Sequence, residues 1–236
     1  MVKRNIVNEI NAYRDSGIVA FKHQIYTYSG KLCSVEDPPS MEDILVSLGR
    51  VARFSGNTIW DFNVFAHSVH VAYILWRLGF DHLILQGLVH DATECMFGDI
   101  PTPFKNKATR ELEKYAASNI FRSQGYNFES TDPLVSYADR ISLVMEARLL
   151  LQGDAWKNIL RSVEITQKDV DLIETHCLDK LVGYCENYKN LFRPKKLIYK
   201  NTIELIHKLK SLTAHHGDAF QDYMEHTFGV SVSRGS

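Results

Sequence analysis

The sequence predicts an all-α fold, organised as a single domain with a small β-hairpin near the N-terminus. Apolar residues recur at helical spacing through most of the chain after residue 41, whereas the alternation typical of strands is confined to residues 19–35. No repeat, low-complexity stretch or shift in composition marks a linker. We therefore expect one domain over 1–236, with a core at about 25–150, a helical extension at 155–213 and a polar tail at 214–236.

Turn and cap signals place the individual elements. The segment from Ile25 to Leu32 alternates around a Ser29-Gly30 turn, which favours a hairpin. Ser40 and Asp43 form a capping-box pattern at the start of a helix. The predicted helices cover residues 4–15, 41–54, 65–80, 82–97, 105–123, 133–151, 155–161, 166–190 and 197–213. The helix at 133–151 has apolar residues on almost every side and is expected to be central, whereas the tail from residue 215 is polar and is expected to fray.

Composition excludes several classes of function. An apolar share of 45% with a net charge of −1 is ordinary for a globular protein and argues against disorder or a nucleic-acid-binding surface. No apolar run reaches the ~18 residues of a membrane span, and the N-terminus lacks the apolar core of a signal peptide. The four cysteines are scattered without CxxC spacing, which favours free thiols and a cytoplasmic setting.

The predicted helix at 82–97 carries polar residues where an apolar surface would be expected. At 100° per residue, His90, Asp91 and Glu94 fall within one arc, opposite a mainly apolar side. Gly87 lies on the same side one turn earlier, where the missing side chain would leave room. An imidazole and two carboxylates on a buried helix are costly unless something charged neutralises them. A divalent metal ion is the obvious candidate.

A complete metal shell requires ligands from other helices. His67 lies upstream of the His90-Asp91 pair, and Asp139 lies on the apolar helix downstream. If these four side chains converge, imidazole and carboxylate together suit Zn, Mn, Fe, Co or Ni, and positions remain open for water and substrate. Glu94, one turn beyond the pair, is then placed for acid–base chemistry rather than ligation.

Five segments of the chain resemble a known family. They are GRVARFSGN (49–57), AHSVHVA (66–72), LVHDATE (88–94), GDIPTPFK (98–105) and YADR (137–140). The order H…HD…D resembles the HD-domain metal-dependent phosphohydrolases, and the GD-x-PTP loop is similar to that of the branch containing the bacterial 5′-deoxynucleotidases. The resemblance covers roughly residues 25–150. It implies a single HD-domain helical bundle that hydrolyses a phosphate ester.

The same resemblance implies roles for individual residues. Its metal ligands match His67, His90, Asp91 and Asp139, and its catalytic carboxylate matches Glu94. Substrate contacts would come from Arg53, Phe54, Asp91, Asp99, Thr102 and Lys105. Phe54 departs from the family pattern, which has a tryptophan after the arginine, so the indole N–H is lost.

The histidine distribution bears on the number of metal ions. Members of this family that hold two metals need further histidines after the HD pair, and none occurs between His90 and His176. We therefore expect one divalent ion, which could be Co, Mn, Zn, Fe or Mg. His70 is interpreted as a packing or surface residue rather than a ligand. Glu146 lies about two turns after Asp139 on one face of its predicted helix. It is expected to support a ligand without contacting the metal, or to form a salt bridge with Arg140 or Arg148.

Three functions fit these residues. The favoured hypothesis is a phosphomonoesterase that converts (deoxy)nucleoside 5′-monophosphates to nucleoside and phosphate. The second is a dNTP triphosphohydrolase with the same metal site, which would need further cations such as Arg50 and Lys105. The third is a non-catalytic nucleotide-binding regulatory module. The expected partner is a small nucleotide, with no nucleic acid or membrane, and the resemblance also implies a homodimer.

Overall fold

The computed structural model describes residues 24–128, 130–171, 196–211 and 215–229. These residues are mostly helical, with one two-stranded hairpin, which confirms an all-α fold with a hairpin. The predicted helix at 4–15 and most of the one at 166–190 lie outside the described residues. The helices are α1 (Met41–Leu48), α2 (Val64–Arg77), α3 (Ile84–Val89), α4 (Glu94–Phe97), α5 (Lys107–Ser123), α6 (Pro133–Leu150), α7 (Ala155–Ser162), α8 (Lys196–Leu209) and α9 (His216–Phe228). Short 3-10 turns occupy Arg53–Gly56, Asp81–Leu83 and Thr102–Phe104.

The hairpin forms as predicted. Strands β1 (Ile25–Tyr26) and β2 (Leu32–Cys33) are antiparallel, with Ile25 opposite Cys33 and Tyr26 opposite Leu32. Its tip is bonded to the start of α1, because the backbone N–H and the hydroxyl of Ser29 both donate to the Asp43 carboxylate, at 2.8 and 2.9 Å. The same carboxylate accepts from Ser40, whose hydroxyl accepts from the Asp43 backbone N–H, which confirms the capping box.

The predicted helix at 41–54 is too long, because α1 ends at Leu48. Beyond it the backbone N–H of Arg53 donates to Phe62 at 3.0 Å, and Phe54 and Ser55 have positive φ angles of 51° and 54°. Such left-handed backbone is uncommon outside glycine and cannot continue a helix. The turn directs the Arg53 side chain inward, where the residue is 8% exposed.

Helix α2 is the most buried element of the described chain. Every residue from Val64 to Trp76 is buried, and α2 packs chiefly against α3 and α6. The expected central helix, α6, is therefore part of the core, but α2 lies deeper. An ideal Cβ on Gly87 would lie only 3.2 Å from the Cα of Ala72, so α3 approaches α2 very closely at this glycine. The sequence suggested that Gly87 leaves room beside the polar residues. In the structure Gly87 instead allows α3 to pack closely against α2.

The predicted helix at 82–97 is also interrupted. It divides into a 3-10 turn, α3 and α4, and residues 90–93 between the two helices form turns with i to i+3 hydrogen bonds. His90 and Asp91 therefore lie just beyond the end of α3, and Glu94 begins α4. The three polar residues stay close together, but they do not share one continuous helix.

The expected fraying of the tail from His215 is wrong for α9. Its apolar residues Phe220, Tyr223, Met224 and Phe228 are buried, and the Phe220 ring lies 6.2 Å from that of Trp76 in α2. Their spacing follows one helical face, but the intervening polar residues mask it in the composition. Among the described helices, none combines the length and the apolar character needed to cross a membrane.

Candidate metal centre

Two histidines and an aspartate meet between α2 and the end of α3. A donor atom from each of His67, His90 and Asp91 lies within 4.8 Å of the other two, a separation at which one metal ion could contact all three. The Asp91 Oδ2 atom is 3.4 Å from His67 Nε2 and 3.3 Å from His90 Nε2. Nitrogen and oxygen donors of this kind suit a divalent ion of the first transition row or zinc.

Asp139 lies at the edge of this cluster. Its Oδ1 atom is 3.1 Å from His67 Nε2 and 3.9 Å from His90 Nε2. The side chain is 40% exposed, compared with 23% for Asp91, so Asp139 is on the solvent side. The structure therefore brings together all four residues predicted as ligands, from α2, the turn after α3, and α6.

The hydrogen bonds at Nδ1 of each imidazole indicate which ring nitrogen carries the hydrogen. His90 Nδ1 is 2.8 Å from the Gly87 carbonyl oxygen, and His67 Nδ1 is 2.7 Å from Glu146 Oε1. These oxygens accept hydrogen bonds, so Nδ1 carries the hydrogen in both rings and a neutral ring presents a lone pair at Nε2. Both Nε2 atoms are buried, and they face the carboxylates of Asp91 and Asp139. A nitrogen lone pair and a carboxylate repel each other, and a cation bound between them would remove this repulsion.

The charges around the candidate metal centre favour binding of a proton or a metal cation. Burial alone would raise the pKa of Asp91, but His90 and His67 hold it well below its usual range. Burial and Arg53 oppose protonation of His67, yet the carboxylates of Glu146, Asp139 and Asp91 raise its pKa well above the usual value. The field that attracts a proton here also attracts a metal ion, which competes with protons for the same atoms.

Glu94 is a buried acid beside the candidate ligands. The residue is 6% exposed, and its Oε2 atom has no hydrogen-bond partner among the described residues. Burial, followed by the nearby charges of Asp91 and Asp99, raises the pKa of Glu94 to about 9. Without a bound metal the carboxyl is therefore protonated at neutral pH and can donate a hydrogen bond or a proton.

Arg53 is close to the site but already paired. Its guanidinium lies 3.5 Å from the Asp99 carboxylate and 3.4 Å from that of Glu146, and 5.8 Å from the centre of the Phe54 ring. Burial raises the pKa of Asp99, although Arg53 opposes the shift. A direct contact between Arg53 and substrate stays a prediction, as do those expected of Phe54 and Asp99.

The other residues predicted to contact substrate lie further along the loop. Thr102 is exposed, and its carbonyl accepts from Arg110 at 3.3 Å. Lys105 forms a 3.0 Å ion pair with Glu113 on α5. Neither is among the residues that cluster with the histidines, and their role in binding stays a prediction.

Two buried residues of α6, Ser142 and Glu146, lie behind the candidate ligands, and Ser142 was not assigned to the site from the sequence. Glu146 contacts the candidate ligand His67, which agrees with one of its two expected roles, and it forms an ion pair with Arg53. Ser142 donates a 2.7 Å hydrogen bond to Glu146 and lies 2.8 Å from His70 Nδ1. Ser142 follows Asp139 at helical spacing, a signal that would have placed it on the same face.

The fold and this cluster define a helical protein with a candidate metal centre. No family model matches the chain. The chain is similar to "Uncharacterized protein YfdR" of Escherichia coli (strain K12), with 29% identity over 150 residues. The match covers 61% of this chain and 82% of the relative, whose name assigns no activity.

Proposed function

We propose that this protein is a metal-dependent phosphomonoesterase of the HD-domain type, which hydrolyses (deoxy)nucleoside 5′-monophosphates to nucleoside and phosphate. The observation that carries the proposal is the convergence of two buried imidazole Nε2 atoms on the carboxylate of Asp91, beside the buried acid Glu94. The four candidate ligands also follow the H…HD…D order of that family, and Asp99 begins the similar Pro-Thr-Pro loop.

The donor set fits one divalent metal ion. His67, His90 and Asp91, with Asp139 at the edge, would supply at most two nitrogens and two carboxylates, so an octahedral ion would keep positions open. Two imidazoles favour Mn, Fe, Co or Zn over Mg, which prefers an all-oxygen shell. When bound, the ion would polarise the phosphoryl oxygen and lower the pKa of water.

Glu94 would serve as the general acid. Hydrolysis forms a bond from a water oxygen to phosphorus and breaks the bond from phosphorus to the 5′-oxygen of the nucleoside. The departing oxygen needs a proton, and the buried carboxyl of Glu94 beside the candidate ligands would donate it. The proton released by the attacking water restores the carboxyl, so the overall reaction consumes one water and leaves Glu94 unchanged.

Arg53 would supply positive charge next to the reacting phosphate. Its ion pairs with Asp99 and Glu146 hold the guanidinium within the site. A bidentate bond to phosphate would require the substrate to displace Asp99, the more exposed of the two partners. The triphosphohydrolase alternative has less support, because Lys105, one of the cations it would need, is paired with Glu113.

A substrate panel tests the proposal. The purified protein is assayed with dNMPs, NMPs and dNTPs in the presence of Mn, Co, Zn or Mg, and the products are separated. Monophosphates should release inorganic phosphate, whereas a triphosphohydrolase would release intact triphosphate from dNTPs. Binding of nucleotides without hydrolysis under any of these metals would instead support a regulatory module and contradict the proposal.

Two variants separate the acid from the ligand. Glu94→Ala should retain metal binding and lose turnover by at least ~100-fold, because general acid catalysis contributes about 10²–10⁴-fold. Asp91→Ala should lose both metal binding and turnover. Wild-type turnover by Glu94→Ala would refute the mechanism.

A further inference from the structure

Glu146 connects a candidate metal ligand with the buried arginine. It lies on α6, about two turns after Asp139 and one turn after Ser142, and its side chain is 1% exposed. Its Oε1 atom is 2.7 Å from His67 Nδ1 and accepts a 2.7 Å hydrogen bond from Ser142. Its Oε2 atom is 3.4 Å from Arg53 Nη2. Both carboxylate oxygens therefore have partners.

The contact with His67 has a chemical consequence at the opposite side of the ring. A neutral imidazole carries one hydrogen, and a ligand nitrogen must present its lone pair. Because the carboxylate accepts a hydrogen bond from Nδ1, the hydrogen is kept there and Nε2 is left as the donor to a metal. Nε2 faces Asp91 and Asp139, whose oxygens lie 3.4 and 3.1 Å away.

We infer that Glu146 is a positioning residue of the metal centre: it sets the tautomer and ring orientation of His67, and thereby the metal affinity of the site. The inference rests on the metal centre of the proposed function and is independent of the substrate. Partners of this kind on the outer side of a ligating histidine typically contribute about 10–100-fold to metal affinity.

The two histidines differ in how they are oriented. His90 donates from Nδ1 to the carbonyl of Gly87, a backbone group held by α3. His67 depends on a side chain 79 positions away in the sequence. A substitution at Glu146 therefore perturbs one ligand and leaves the hydrogen bond of the other intact.

A rival explanation is that Glu146 only balances the charge of Arg53. Arg53 is 8% exposed, and loss of a buried partner charge is strongly destabilising. The two explanations differ when Arg53 is neutralised as well. If Glu146 only balances the charge of Arg53, removal of both charges should restore stability and metal affinity. If Glu146 positions His67, removal of both charges should restore stability but not metal affinity.

The test measures Mn²⁺ and Co²⁺ binding by calorimetry, together with the visible absorption of bound Co²⁺ and the urea midpoint. The variants are Glu146→Gln, which keeps the shape but removes the charge, and Arg53→Met/Glu146→Gln. Asp43→Asn is the matched control, because it makes the same acid-to-amide change at a buried carboxylate of the capping box, away from the histidines. We expect Glu146→Gln to weaken binding by about 10–100-fold and to alter the Co²⁺ spectrum. Asp43→Asn should bind Mn²⁺ within about twofold of wild type, and the double variant should regain stability but not affinity.

Binding by Glu146→Gln within about twofold of wild type would overturn the inference, as would wild-type affinity in the double variant. If wild-type protein bound neither Mn²⁺ nor Co²⁺, the metal centre and the proposed function would fail together. Weaker binding by Glu146→Gln in a protein that hydrolyses no nucleotide would support the positioning role and reject the proposed function alone.

Discussion

Replacement of Gly87 by alanine tests whether the close approach of α2 and α3 sets the geometry of the candidate metal centre. A Cβ at this position would lie 2.7 Å from the Leu75 Cδ1 atom, 3.2 Å from the Ala72 Cα atom and 3.3 Å from the Ala72 nitrogen. His67 lies on α2, and His90 follows the last residue of α3. Any separation of the helices therefore moves one candidate ligand away from the other.

The expected loss of stability depends on which atoms near the added Cβ can move. Leu75 is 0% exposed, so moving its terminal methyl group off its rotamer costs ~0.5–1.5 kcal/mol. The Ala72 backbone cannot rotate away, and the helices must shift by a few tenths of an ångström, within the ~1–3 kcal/mol range of overpacked cores. Alanine returns up to ~1 kcal/mol through its higher helix propensity. We therefore expect Gly87→Ala to lower the free energy of unfolding by about 1–2 kcal/mol.

Urea denaturation measures the change in unfolding free energy, and calorimetric titration with Mn²⁺ measures the change in affinity, expected to be a several-fold loss. The control is a double-mutant cycle with Leu75→Ala, which removes the nearest clashing atom. The double variant should be more stable than the sum of the single effects implies. A Gly87→Ala protein as stable as wild type, with unchanged affinity, would refute the packing argument.

Three further predictions follow from the site and the core. In the presence of a chelator, Glu94 of the folded protein keeps its proton up to a pH of about 9, whereas in the unfolded protein it loses the proton above pH ~4.5. The free energy of unfolding should therefore fall as pH rises towards about 9. The loss from Glu94 is up to ~4 kcal/mol between pH 5 and 8. Below pH ~6.5 it should be largely absent in Glu94→Gln, because the raised pKa of His67 adds a fall of its own only above that pH; parallel urea curves for the two proteins below pH ~6.5 would contradict it. Saturating Mn²⁺ at about 100 times its Kd should add ~2.7 kcal/mol of stability, seen as a higher Tm that Asp91→Ala does not show; an equal gain in that variant would place the ion elsewhere. Phe220→Ala should cost ~3–5 kcal/mol in urea because Phe220 is 0% exposed, whereas a cost below 1 kcal/mol would mean that α9 does not stabilise the core.

Local patterns predicted the elements that local physics controls. The capping box at Ser40 and the turn at Gly30 depend on neighbouring residues, and both formed as expected. The breaks after Leu48 and at His90 were missed. The first depends on a backbone hydrogen bond from Arg53 to Phe62, and the second replaces helical hydrogen bonds with shorter turns. Neither leaves a sequence signal as strong as proline.

The sequence by itself determined the candidate ligands, because His67, His90, Asp91 and Asp139 are unusual on otherwise apolar segments and follow a family-like order. Assignment to the HD family stays a prediction that rests on those motifs. Periodicity also limits which residues can share a face, and this information is present in any single helix.

Only the tertiary structure decided what lies behind the ligands. Glu146 contacts His67 and Arg53 on other elements as well as Ser142 on its own helix, and Arg53 is 93 residues away. Side-chain pairing between helices depends on their packing distance and rotation, which periodicity does not encode. The same reason explains Gly87, whose missing side chain matters because α2 lies against it. The candidate ligands can be identified in the sequence, whereas their orientation depends on how the helices pack.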